Sequence, residues 1–233
     1  MSMRKIGLIG GMSFESTAIY YRHLNEAVGR RLGGLHSAEL LLHSLDFQTV
    51  VDKQKAGRWK EAGQQLAQAG QGLERAGAQC LLICAVTMHL VADAVAAAVD
   101  IPLIHVVDET AHALNAAGRA KPLLLTTRYT MENGFYQERM RRHGIDVVVP
   151  EAPGRGALHD IIFDELCAGK VLDASRTRLM ALIDAAANEG ADAVIFGCTE
   201  IGMILDAADL PLPAFDSAAL HADAAVDFAL REG

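Results

Sequence analysis

The sequence predicts an α/β fold made of two similar halves, each with a parallel sheet. Short apolar runs of strand length alternate along the 233 residues with longer amphipathic stretches, which is typical of parallel sheets covered by helices. The chain also contains a repeat, because residues 76–87 match residues 189–200 in register, with a helix end, a glycine, a strand and a turn in the same order. We therefore expect two α/β domains related by pseudo-two-fold symmetry, with the functional site in the cleft between them.

The individual elements follow from the spacing of apolar residues. Continuous apolar runs predict buried strands, whereas apolar residues that recur every three to four positions predict helices. The predicted strands are residues 4–10, 38–44, 80–86, 102–106, 121–126, 145–149, 192–197 and 212–215. The predicted helices lie near residues 14–31, 57–76, 88–98, 108–117, 131–143, 156–168, 173–189 and 217–231.

The repeat also predicts where the domains divide. Residues 6–11 with Tyr20 match residues 122–127 with Tyr136, so a second copy of the first strand begins near residue 121. We predict a first half over residues 1–105, completed by the C-terminal helix at 216–233, and a second half over residues 106–215. In open parallel sheets, ligands bind beyond the carboxyl ends of the strands. We expect the site at four turns, residues 10–13, 85–89, 126–130 and 198–201.

Composition excludes several classes of partner. The net charge is −8, with 29 acidic and 21 basic residues, so a nucleic-acid partner is not expected. No apolar stretch approaches the roughly 20 residues that span a bilayer, and the N-terminus lacks a signal-peptide pattern. The four cysteines do not form a secreted framework, and the histidines form no zinc-binding pattern. We expect a cytoplasmic protein with reduced thiols, no bound metal and no membrane partner.

Cys198 is the strongest candidate for chemistry. It ends a predicted strand, and Thr199 and Glu200 after it are typical of a helix start. A thiol near the positive end of a helix dipole is expected to ionise more readily than a free thiol. The alternative is that Cys198 is a small buried apolar residue.

Other turns carry weaker signals. The pair Gly10 and Gly11 fits a small carboxylate better than a nucleotide, because the dinucleotide-binding glycine pattern is missing, or it forms a plain tight turn. His89 is either a general acid or a structural cap. The hydroxyls of residues 126–130 either bind substrate or cap a helix. Four polar residues in or near predicted loops are candidates to hold an anion, namely Gln54, Lys55, Arg58 and Lys170.

Five separate motifs together resemble the aspartate/glutamate racemase family, in particular its broad-specificity bacterial amino-acid racemases. The motifs are residues 6–17 (IGLIGGMSFEST), 33–38 (GGLHSA), 87–89 (TMH), 127–131 (TRYTM) and 196–201 (FGCTEI). The resemblance implies a racemase that works without pyridoxal phosphate or any other cofactor, on an amino acid or another small carboxylate. Two opposed residues, one at a strand end in each half, would act as base and acid at the α-carbon. It also implies a homodimer.

The resemblance assigns roles to residues of this chain. Cys198 would be the acid/base of the second half. Further positions are expected to contact the substrate, namely Met12, Ser13, Gln54, Val86, Thr87, Thr127, Lys170, Thr199 and Glu200. At position 85 the family has Cys, or Thr in the nearest branch, followed by Asn, whereas this chain has Ala85 and Val86. The repeat leads to the same position, because Ala85 is in register with Cys198.

Alanine carries no transferable proton, and valine cannot give a carboxylate the hydrogen bond of an asparagine. Three interpretations stay open. The first is a racemase whose first acid/base is lost, or replaced by water or His89, with reduced or altered activity. The second is an enzyme with one thiol, similar to arylmalonate decarboxylases, in which Val86 lines a pocket for an apolar or departing group. The third is an amino-acid-binding pseudoenzyme.

Overall fold

The computed structural model describes residues 3–231, which form two compact units. The first unit comprises the described residues of Met1–His105 and His221–Gly233, and the second is Val106–Leu220. The second boundary lies inside the last helix, between Leu220 and His221. Each unit contains a three-stranded parallel sheet with helices, which confirms the predicted α/β fold class.

In the first unit, the strands have the order β2-β1-β3. Strands β1 (Ile6–Gly10), β2 (Leu40–Ser44) and β3 (Cys80–Ile83) pair in parallel, with Ile6 opposite both Leu40 and Cys80. The helices are α1 (Phe14–Leu32), α2 (Phe47–Lys55), α3 (Trp59–Arg75) and α4 (Ala92–Ala96), with a 3-10 helix at Val86–Val91. Central strand β1 is buried along its whole length, so its apolar residues form the core against α3 and β3.

In the second unit, the strands have the order β4-β5-β6. Strands β4 (Pro122–Leu125), β5 (Ala193–Phe196) and β6 (Ala214–Asp216) are parallel. The helices are α5 (Val106–Ala116), α6 (Arg128–Glu132), α7 (Phe135–Arg142), α8 (Ala152–Asp160), α9 (Asp173–Asn188) and α10 (Ser217–Leu230). A π-helix at Ile161–Glu165 and a 3-10 helix at Leu166–Ala168 follow α8, and further 3-10 helices lie at Thr199–Met203 and Ala207–Asp209.

Two predicted strands are wrong. Residues 102–106 and 145–149 each contribute one isolated bridge, Leu81 with Leu103 and Leu123 with Val148. The first segment is cut short because α5 already begins at Val106. The second makes two backbone hydrogen bonds to β4, through the N–H and the C=O of Val148. The pattern of apolar residues predicts that both segments are buried. It does not predict how many backbone hydrogen bonds an edge segment makes to the neighbouring strand.

Several predicted helices differ from the observed ones. Helix α2 was not predicted, so Gln54 and Lys55 lie in a helix and not in a loop. The stretch 131–143 is broken between α6 and α7 at Gly134, which adopts φ 76° and is the N-cap of α7. Among residues 3–231, none of the helices has the length and apolar character needed to cross a bilayer.

Candidate active site

Ala85 and Cys198 occupy matching places in their own units. Each lies two residues beyond a buried strand, β3 or β5, and each is the N-cap of a 3-10 helix. Both have extended backbone, with φ −153° and ψ 117° at Ala85 and φ −142° and ψ 133° at Cys198. The repeat found in the sequence therefore corresponds to a repeated strand-end turn.

The turn before Cys198 requires a glycine and a buried hydrogen bond. A Cβ on Gly197 would lie 2.8 Å from the side chain of Leu124 and 3.0 Å from Cβ of Thr126, so no larger residue fits without a shift of β4. The Thr126 hydroxyl, fully buried, donates to the carbonyl of Gly197 at 2.7 Å. In the first unit, the Ser16 hydroxyl likewise donates to the carbonyl of Cys84 at 2.9 Å. These bonds fix the backbone from which residues 85 and 198 project.

We call Cys167, Cys198, Thr199 and Glu200 the second half-site. The Cys198 thiol donates to Glu200 Oε2 at 2.9 Å, and the Thr199 hydroxyl donates to the same oxygen at 2.6 Å. The Cys167 thiol approaches the other oxygen, Oε1, at 3.8 Å. The Glu200 side chain is buried, whereas Cys198 and Thr199 are half-buried. A buried carboxylate is thus held by three donors.

The prediction that the Cys198 thiol has a lowered pKa is wrong. Burial, followed by the charge of Glu200, raises the pKa of the Cys198 thiol well above its ordinary value. The structure also lacks the long helix on which the expectation depended, because Thr199–Met203 is a 3-10 helix of five residues. The Cys198 thiol is therefore protonated at neutral pH. It can donate this proton directly, but it can act as a base only after another group has removed the proton.

Thr127 and Lys170 are the remaining second-unit residues named by the sequence. Thr127 is buried, is the N-cap of α6, and has its hydroxyl 3.4 Å from that of Thr130. Lys170 lies in the exposed loop between Gly169 and α9, where its N–H donates to the carbonyl of Glu165.

We call Met12, Ser13, Gln54 and residues 85–87 the first half-site. Ser13 is the N-cap of α1 and accepts a hydrogen bond from the N–H of Ser16. Gln54 is buried in α2 and donates to the Met88 sulfur at 3.0 Å. Val86 is only 7% exposed, and Thr87 is half-buried. Position 85 itself offers a methyl group, so this half-site has no titratable side chain where the second has Cys198.

His89 is a structural cap of this turn. Its Nδ1 lies 3.1 Å from the carbonyl oxygen of Ala85, which accepts the ring N–H. The ring is buried and packs edge-on against His105 at 4.7 Å and against His221 at 5.4 Å between ring centroids. His221 in turn lies 2.9 Å from the Tyr20 hydroxyl. His89 therefore holds the backbone of residue 85 and belongs to a buried aromatic cluster.

Cys84 offers no substitute for the missing side chain, because it is fully buried and burial raises the pKa of its thiol. Arg58 pairs with Glu61 at 3.2 Å, and Lys55 lies exposed in the last turn of α2. Within residues 3–231, no group of three or more His, Cys, Asp or Glu residues is arranged to hold a metal ion.

The contact of Cys167 with Glu200 was not predicted from the sequence. Cys167 follows the π-helix, 31 residues before Cys198, and lies in no motif; its contact with Glu200 depends on how the chain turns through residues 161–168. A π-helix has no clear sequence signal, although such helices are frequent at functional sites.

The structure is a two-unit α/β protein with a thiol and a buried carboxylate just beyond one of its parallel strands, and comparison with known proteins is consistent with this. A profile of the Asp/Glu/Hydantoin racemase family matches residues 9–225. The chain belongs to this family.

Individual relatives agree with the family. The chain is 20% identical over 225 residues to the broad specificity amino-acid racemase RacX of Bacillus subtilis (strain 168), a match that covers 95% of this chain and 96% of the relative. A crystal structure of a candidate Asp/Glu racemase from Yersinia pestis is 45% identical, with a TM-score of 0.93, over 98% of this chain and all of that one. An aspartate racemase homologue from Pyrococcus horikoshii OT3 is 32% identical, with a TM-score of 0.85 and the same coverage. The predicted resemblance and the isomerase class are thereby confirmed.

Proposed function

We propose that this protein transfers protons at the α-carbon of an amino acid without a cofactor, as a racemase whose first acid/base position is occupied by Ala85 and whose racemisation is therefore slow. One observation carries the proposal. In the second unit a thiol at the strand-end turn donates to a buried carboxylate at 2.9 Å, whereas the matching residue of the first unit is an alanine.

The roles of Cys198 and Glu200 follow from the protonated resting thiol. When Cys198 acts as a base, Glu200 first accepts the thiol proton and becomes a neutral acid. The thiolate then takes the α-proton, which leaves the electron pair on the substrate as an enolate-like carbanion. When Cys198 acts as an acid, the thiol gives its proton to such a carbanion. Either direction serves one face of the α-carbon, and racemisation needs a proton carrier for the other face too.

Substrate contacts are proposed from residues of both units. Hydroxyl, amide and ammonium groups would hold the substrate carboxylate and the charge that develops beside it. The residues are Ser13, Gln54, Thr87, Thr127, Lys170, Thr199 and Glu200, and the apolar side chains of Met12 and Val86 would line the remaining space. The exposed loop position of Lys170 is compatible with this role, since a loop lysine is free to reach an anion.

The test is α-proton exchange in D₂O. The protein is incubated with each enantiomer of aspartate, glutamate and several neutral amino acids, and loss of the α-proton is followed by NMR. We expect exchange for at least one amino acid, and we expect Cys198→Ala to lower its rate by about 100-fold or more, because general acid/base groups contribute about 10²–10⁴. Exchange that persists in Cys198→Ala, or none with any substrate, would contradict the proposal.

A second candidate is a decarboxylase with a single thiol. The observation that favours it is the apolar pair within the first half-site, where Ala85 stands beside a Val86 that is 7% exposed. Such a site suits an apolar or departing group better than a charged carboxylate. Release of CO₂ from a disubstituted malonate, without exchange of amino-acid α-protons, would favour this candidate. Amino-acid binding measured by calorimetry, with neither reaction, would favour a pseudoenzyme.

We also propose that the protein is a cytoplasmic homodimer. The family resemblance supports the dimer, and so do large apolar side chains exposed on the first unit, which include Phe14 (70% exposed), Tyr21 (56%) and Leu42 (50%). Sedimentation equilibrium should give twice the chain mass, and a monomer at micromolar concentration would contradict the dimer.

A further inference from the structure

Cys167 and Cys198 contact the same carboxylate through different oxygen atoms. Cys198 donates to Oε2 of Glu200 and Cys167 donates to Oε1, at 2.9 and 3.8 Å. The two thiols come from separate elements, the 3-10 helix Leu166–Ala168 and the turn after β5. Glu200 therefore links them, and the position of its carboxylate depends on both.

The chain reaches this contact by an unusual route. Helix α8 widens into the π-helix Ile161–Glu165, tightens into the 3-10 helix and ends at Gly169, which adopts φ 71°. A change from π to 3-10 geometry alters the direction of the next side chains relative to a continuous α-helix. Leu166 is buried in the core of this unit, and Cys167, the next residue, packs at the edge of the core with its sulfur toward Glu200.

We propose that Cys167 is a positioning residue, whose thiol holds the Glu200 carboxylate in the orientation that presents Oε2 to Cys198. The proposal deepens the proposed function, since it concerns the base that serves Cys198. The terminal torsion of a glutamate is broad, so the carboxylate is fixed by its hydrogen bonds and not by its rotamer. Oε2 accepts hydrogen bonds from Cys198 and Thr199, and Oε1 accepts one from the thiol of Cys167, so this thiol holds the oxygen that faces away from Cys198.

The electrostatics agree with this geometry. Burial, followed by the charge and hydrogen bond of Glu200, raises the pKa of Cys167 to about 12, so the Cys167 thiol remains a donor at neutral pH. Glu200 also contributes to the raised pKa of Cys198. A carboxylate that turned away from Cys198 would release part of that effect, and the Cys198 thiol would then ionise more easily.

The experiment measures alkylation of Cys198 by iodoacetamide at pH 8.5, followed by mass spectrometry of the peptide that contains it. The reagent reacts with the thiolate, so the rate reports how easily Cys198 ionises. Three variants are compared: Cys167→Ser keeps a donor, Cys167→Val keeps the approximate volume without a donor, and Cys167→Ala removes both. Glu200→Gln removes the charge and calibrates the assay.

We expect Cys167→Val and Cys167→Ala to raise the alkylation rate about threefold, Cys167→Ser to match the unmodified protein, and Glu200→Gln to raise the rate about tenfold. Equal rates in all three Cys167 variants, or a change in Ala that Val does not share, would overturn the proposal, because the hydrogen bond would then have no effect of its own. The assay needs no substrate, so its outcome is independent of whether the protein exchanges α-protons.

Discussion

At the scale of single residues, the proposed chemistry depends on two positions that the repeat makes equivalent. Cys198 has a transferable proton and a carboxylate beside it, whereas Ala85 has neither. The backbone at both positions is extended and ends a buried strand, so the difference lies in the side chains alone. If this asymmetry limits racemisation, as we propose, a side chain with a transferable proton at position 85 should raise the rate.

The double substitution Ala85→Thr with Val86→Asn should raise racemisation. It supplies a hydroxyl at the vacant acid/base position and an amide donor for a carboxylate. We expect a rise of at least about tenfold, at the low end of what a positioned acid/base group contributes. Enantiomer-resolved chromatography measures the rate.

Val86→Asn alone is the matched control, because it adds the amide without a proton carrier and should leave racemisation near its original rate. An unchanged rate in a folded double variant would contradict our interpretation of position 85.

At the scale of elements, the turn that carries Cys198 is held by the buried hydroxyl of Thr126. Thr126→Val should lower the free energy of unfolding by about 1–3 kcal/mol, because the substitution removes the donor and leaves the Gly197 carbonyl poorly paired. Urea denaturation measures the change.

Thr177→Val on the exposed face of α9 is the control, and a surface change of this kind should alter stability by less than about 0.5 kcal/mol. Equal effects of the two substitutions would show that the hydrogen bond of Thr126 does not stabilise the turn.

Some elements of this fold can be predicted from the sequence, and others depend on tertiary contacts. Strands β1, β3, β4 and β5 were predicted because fully buried parallel strands are continuous apolar runs. The equivalence of Cys198 and Ala85 as matching strand-end residues was predicted from the register of the repeat alone. The raised pKa of Cys198 was not, because it depends on burial and on a carboxylate two residues away that folds back onto the thiol. The contact with Cys167 depends on tertiary packing and is not visible in any local pattern.

At the scale of the whole molecule, buried histidines lie where the chain passes between its units. His105 is the last residue before one boundary and His221 the first after the other, and both rings pack against His89. His221 Nε2 donates to the carbonyl of Ile104 at 2.8 Å, and the Tyr20 hydroxyl donates to Nδ1. Burial, followed by the nearby His89, lowers the pKa of His221 to about 3.

This pKa predicts loss of stability in mild acid. His221 is neutral in the folded protein down to about pH 3, whereas in the unfolded chain it gains a proton below about pH 6.5. The unfolded state therefore binds the extra proton, and stability falls as the pH drops from 6.5 toward 3. Between pH 7 and pH 5 this one residue should cost about 2 kcal/mol.

Urea denaturation at the two pH values measures the effect. His221→Gln, which does not titrate, should lose about 2 kcal/mol less than the unmodified protein over this interval. An identical pH dependence in both proteins would contradict this prediction, because it would mean that His221 takes up its proton over the same pH range in the folded and the unfolded state.

We propose that the second half-site has a side chain that transfers a proton to the α-carbon and that the first half-site has none. The most direct test is the ratio of the rate of α-proton exchange to the rate of inversion at the α-carbon. A single amino-acid substrate is incubated in D₂O as its separate enantiomers, and deuterium incorporation and enantiomer composition are measured in the same samples. We predict that one enantiomer gains deuterium with retention of configuration, several times faster than it inverts. Deuterium incorporation that is matched by inversion from both enantiomers would contradict the claim, because it requires a second proton carrier on the opposite face.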